Sequence, residues 1–81
     1  MRRQRRRFGD WQLYTSKPAT LGCKPYGNNS IYHVRIDACQ TQQGYDNWVK
    51  HLSEKVGFDV AGFELAIRTL RAEGEYLKPL E

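Results

Sequence analysis

The hydrophobic period of this chain changes once, between Asp37 and Tyr45, and that change constrains its fold more than any other feature. Ile31 to Asp37 alternates, with Tyr32, Val34 and Ile36 on one face and His33, Arg35 and Asp37 on the other, as in a strand with one buried side. From Tyr45 onward, Tyr45, Trp48, Val49, Leu52 and Val56 fall on one helical stripe, and Val60, Phe63, Ala66, Ile67 and Leu70 continue at helical spacing. Thr41 and Asp59 are N-cap residues by type and place, and Gly57 and Gly74 are the expected stops. Upstream, Trp11 to Thr15 and Thr20 to Lys24 read as extended, with a turn-rich stretch from Pro25 to Asn29 before the alternating strand. Extended segments therefore precede helices. This order predicts an α+β domain: a small antiparallel β-sheet of two to three strands followed by two α-helices packed on one face.

Charge divides the chain at Phe8. Arg2, Arg3, Arg5, Arg6 and Arg7 lie in the first seven residues, whereas Phe8 to Glu81 carries eight Lys/Arg against nine Asp/Glu. The net +4 of the 81-residue chain thus belongs to an arm. Residues 1–7 are expected to form a disordered arginine-rich arm and residues 8–81 a single small domain. A body this small buries only about 60% of its unfolded surface, which makes a homodimer or a binding partner an expected source of stability.

Several chemistries find no support in the residue spacing. Cys23, His33, Cys39 and His51 contain no C-x-x-C or H-x-x-x-H pair, so no metal site is assigned. Gly22 and Gly27 have phosphate-loop spacing, but Asn28 and Asn29 stand where Lys-Ser/Thr is required. Cys39 with His33 or His51 would make a thiolate and base only if folding joined them; a small semi-buried cysteine and solvent-facing histidines are the simpler reading. Glu73 and Glu75 flank a helix end, where carboxylates are ordinarily solvated. No catalytic residue and no cofactor is assigned, and a non-enzymatic protein is expected. With no apolar run long enough to span a membrane and no signal-peptide core after the arginines, a cytoplasmic protein with free thiols is expected.

The arm and the last helix carry the binding expectations. Five guanidinium groups suit phosphates, so Arg2, Arg3, Arg5, Arg6 and Arg7 are the expected nucleic-acid contacts, to RNA or DNA, with an acidic host protein surface as the alternative target and no membrane. Ala61, Leu65 and Ala72 lie off the Phe63/Ile67/Leu70 stripe and give the last helix a second apolar side. Either that side packs beneath the Tyr76-Leu77 segment, or it meets a protein partner. Asp46 with Lys50 and Glu64 with Arg68 have the spacing of supporting ion pairs.

Two resemblances add context. Arg2-Arg3-Gln4-Arg5-Arg6-Arg7 resembles the arginine-rich peptides of viral RNA-binding proteins, including part of the basic region of the lentiviral transactivator. Tyr32-His33-Val34-Arg35-Ile36-Asp37-Ala38-Cys39-Gln40-Thr41, followed by Trp48-Val49-Lys50-His51-Leu52-Ser53-Glu54-Lys55, resembles a strand-then-helix pattern of small, largely uncharacterised phage, prophage and bacterial proteins. That second resemblance implies a mobile-element setting and the cytoplasm of a bacterial host. It also implies a phage-type inhibitor or adaptor that acts by stoichiometric binding to a host protein.

Overall fold

The computed structural model describes residues 6–15, 18–27, 29–55 and 57–78. Arg2, Arg3, Arg5, Asn28 and Val56 lie outside the described residues. Four short strands form one antiparallel meander in chain order: β1 (Arg7–Phe8), β2 (Trp11–Tyr14), β3 (Thr20–Cys23) and β4 (Tyr32–Arg35). A 3-10 turn over Ile36–Cys39 leads to α1 (Gln42–Ser53) and α2 (Val60–Glu73). The α+β order read from the hydrophobic periods holds, and the sheet has four strands where two to three were expected.

The additional strand is β1, formed where the arginine run meets the body. Phe8 pairs with Trp11, so the hairpin loop is only Gly9-Asp10, and Gly9 has a φ of 61° at the first central position. That is the position where a tight hairpin turn of type II′ calls for glycine. The Leu13 N–H donates to the Arg6 carbonyl at 2.9 Å and extends the pairing one residue further. Arg6 and Arg7 are therefore paired with the body through β2, on the arm side of Phe8. The charge run concealed a strand that has only two residues and needs its neighbour to form.

Alternation gives the sheet two unlike faces. Phe8, Trp11, Leu13, Leu21, Cys23 and Val34 are buried beneath the helices, where Leu52 of α1 and Phe63, Ile67 and Leu70 of α2 meet them. Trp11 sits at the centre with no exposed surface, its ring 5.2 Å from Phe63 and 6.1 Å from Phe58. Its indole N–H donates to the Asp59 carbonyl at 2.7 Å, which satisfies the one polar group this large side chain brings into the core.

Thr41 caps α1 by accepting from the Gly44 N–H at 3.1 Å, as its type predicts. Helix α1 stops at Ser53, with Glu54 as its C-cap, and does not run to Gly57. Gly57 has a φ of 98° in the link to α2, and its carbonyl accepts from the Tyr26 N–H at 3.2 Å. It bends the link toward the β3–β4 loop. Asp59 caps α2 through the Gly62 N–H, and Gly74 closes it in the left-handed conformation. Beyond α2, Leu77 is buried, and the Gln40 amide exchanges hydrogen bonds with the Lys78 backbone at 2.8 and 3.0 Å.

Candidate nucleic-acid interface

The two described arginines of the arm point to different places because they are neighbours on a strand. Arg6 turns to the helix side, where its guanidinium forks onto the Glu73 carboxylate at 2.6 and 2.8 Å and lies over the Phe8 ring. Arg7 takes the opposite face of the sheet and is exposed. Arg2, Arg3 and Arg5 precede this anchored foot and lie outside the described residues.

Strand register assembles the face that Arg7 joins. One row across the sheet runs Arg7, Gln12, Gly22 and His33, and the next runs Tyr14, Thr20 and Arg35. Tyr14 leans across the rows: its ring meets His33 edge-on at 4.8 Å, and a Cβ on Gly22 would come within 2.5 Å of it. Gly22 is thus the notch that lets the two rings close over the strand between them. Exposed Ile31 borders the same notch. The Tyr14 hydroxyl donates to the Gln12 side-chain oxygen at 3.1 Å, and Thr20 Oγ1 shares a hydrogen bond with His33 Nδ1 at 3.0 Å.

Every strand position on this face is neutral or basic. Arg35 forks onto Asp37 just beyond the strand, at 2.7 and 3.2 Å, so its charge is largely compensated. Asp46, Glu54, Asp59, Glu64, Glu73 and Glu75 lie in or beside the helices, on the other side of the sheet. The same layer also carries Lys50, Lys55, Arg68 and Arg71, so its charges are mixed, whereas the open strands present no carboxylate to an anionic ligand.

The remaining candidates are separated. Cys23 and Cys39 are free, buried thiols, and burial pushes the Cys39 thiol up to about 11. His33 stands on the open sheet face and His51 is exposed on α1 against Trp48. Neither is hydrogen-bonded to Cys39 among the described residues. No group of three or more His, Cys, Asp or Glu could hold a metal ion among the described residues, and no described helix is long and apolar enough to cross a membrane.

Ala61, Leu65 and Ala72 are all exposed, with Arg68 on the same stripe, and Leu65 shows 47% of its surface. Leu77 packs into the core without covering them. Neither expected helix ion pair forms among the described residues; Asp46 instead accepts from the Gln42 amide at 2.9 Å. The open sheet face is what residue spacing alone did not reveal. Its linear signals were the alternation of His33 and Arg35 and the rougher alternation through Gln12 and Tyr14, which register joins to Arg7 and Thr20.

Comparison with family models, curated proteins and solved structures gives no match to this chain.

Proposed function

We propose that this protein is a non-enzymatic binding module for nucleic acid, in which the arginine arm supplies sequence-independent phosphate contacts and the α+β body orients them. The observation that carries this reading is the charge division of the chain, joined to the position of Arg7 on a sheet face without acidic strand residues. Arg6 is engaged by Glu73, so this reading assigns the phosphate contacts to Arg2, Arg3, Arg5 and Arg7. Four such contacts give a log–log salt slope of about −2.8 on single strands and about −3.6 on duplex DNA.

The test is fluorescence anisotropy with RNA, single-stranded DNA and duplex DNA across a salt series, comparing the full chain with the R2Q/R3Q/R5Q variant. These substitutions leave the Arg6 and Arg7 contacts intact, whereas deletion of residues 2–7 would remove β1. The variant is expected to lose about 2.1 of the slope on single strands. Unchanged binding would refute the reading.

The exposed Ala61/Leu65/Ala72 stripe favours a second reading, a phage-type inhibitor or adaptor that docks α2 on a host protein. Weak nucleic-acid binding without preference among the three ligands would favour this alternative.

A further inference from the structure

We propose that the open face of the sheet is a seat for single-stranded RNA, whose unpaired bases stack against Tyr14 and His33 while the backbone passes Arg7. This inference rests on the nucleic-acid reading above and deepens it by naming the ligand class and the surface.

The argument begins with what the face offers. Two rings lie together across β3, Tyr14 from β2 half-buried and His33 from the edge strand β4 exposed, with Gly22 making room beneath them. Rings on a flat sheet suit bases that have left their own stack, since every base has a π-face to cover. A duplex keeps those faces stacked internally, and a flat sheet has no protruding element to enter a groove. The preferred ligand is therefore single-stranded.

Charge and polarity narrow the choice. Arg7 occupies the edge of the same row as His33 and Gln12, and no strand residue on the face is acidic, so a phosphate backbone is attracted there without a strand carboxylate to oppose it. A polar seam borders the rings: the Gln12 amide and the Tyr14 hydroxyl on the side of Arg7, and the Thr20 hydroxyl beside His33 on the side of Arg35. A ribose 2′-OH, both donor and acceptor, can join that seam, whereas deoxyribose cannot. RNA is thereby favoured over DNA.

The experiment uses the full chain and a labelled single-stranded oligoribonucleotide, with the matching oligodeoxyribonucleotide and an RNA duplex as further probes, read by anisotropy over a salt series. His33→Ala is the principal variant because His33 is exposed and its removal leaves the core untouched. It is expected to weaken single-stranded RNA binding about 5- to 100-fold with the salt slope unchanged, since stacking carries no counterion release. Tyr14→Phe, which keeps the ring, should bind within a few-fold of wild type, while Arg7→Ala should flatten the slope by about 0.7. Salt-dependent binding that His33→Ala leaves unaltered would overturn the seat and leave the arm as the binding element, with the proposed function standing. Equal affinity for the DNA strand would overturn the choice of RNA, and preference for duplex would overturn the stacking. No binding of any probe by the wild-type chain would overturn both this inference and the function beneath it.

Discussion

Arg6 and Glu73 stand sixty-seven residues apart in sequence and meet in a two-pronged ion pair, with N–O distances of 2.6 and 2.8 Å, that ties the first strand to the end of the last helix. The hydrogen bond from Arg6 holds the Glu73 carboxyl below its ordinary range, and the same contact raises Arg6. Both side chains remain nearly half exposed, at 47% and 40%, so the pair is a surface latch whose strength falls with salt.

The pH dependence of that latch follows from the sign of the shift. A carboxyl depressed in the folded state adds stability that is present above its unfolded pKa and lost as pH falls through the folded value. Wild type should therefore have a higher urea midpoint than Glu73→Gln near neutral pH. The two midpoints should converge in acid. A gap independent of pH would show that Glu73 acts through packing and not through its charge.

Asp59 holds two elements at once. Its Oδ1 caps α2 through Gly62 N–H, its Oδ2 accepts from the Asp10 N–H, both at 3.0 Å, and its carbonyl receives the Trp11 indole. Asp59→Ala should cost about 1 kcal/mol for the cap and a comparable amount for the turn. Asp59→Asn, which keeps one acceptor, should recover about half. Equilibrium urea denaturation of the three proteins checks the order.

Gly9 is constrained by backbone and by space. Its φ is 61°, and a Cβ there would lie 2.2 Å from Asp59 Oδ2. Gly9→Ala should destabilise by about 1–2 kcal/mol from the left-handed backbone alone, with a further loss as the Asp59 carboxylate moves away. The thermal midpoint should fall, and it should fall less in an Asp59→Ala background, where the obstructing carboxylate is gone.

The two thiols should resist modification in the native state. Both are buried, desolvation raises each, and Cys39 reaches about 11, so little thiolate exists at mildly alkaline pH. A thiol reagent should react slowly with the native protein and rapidly in denaturant, with both cysteines then accessible. Fast reaction of one thiol in native buffer would show that its site opens locally.

Leu65 separates a free surface from a packed one. With 47% of its surface exposed on the outer side of α2, Leu65→Glu should change folding stability by no more than about 0.5 kcal/mol. A large loss would mean that this side is covered in solution, as in a homodimer, and sedimentation of wild type and variant would then reveal the change in mass.

Linear pattern was informative where a residue's role depends on its near neighbours in the chain. The alternation through Val34 marked β4, the helical stripes through Leu52 and Phe63 marked α1 and α2, and Thr41, Asp59 and Gly74 marked three of the helix ends. Helix and strand periods and N-caps are local devices, satisfied within a few residues, so they are written directly in residue order. Gly57 misled because glycine also serves loops, and here its backbone meets Tyr26 instead of closing α1.

Long-range partners decided the rest. β1 exists because Arg7 and Phe8 find Gln12 and Trp11, and its foot is pinned by Glu73 from the far end of the chain. The division of the arginine run followed, with Arg6 drawn to the helix side and Arg7 left on the open sheet. Tyr14 and His33 became neighbours only through a register that places Gly22 between them. By itself the sequence determined the α+β order, the caps and the concentration of positive charge in the first seven residues, because these follow from local periodicity and residue type. Only the tertiary structure decided which arginines the body engages and which strand side chains share the open sheet face, because both depend on contacts between residues distant along the chain.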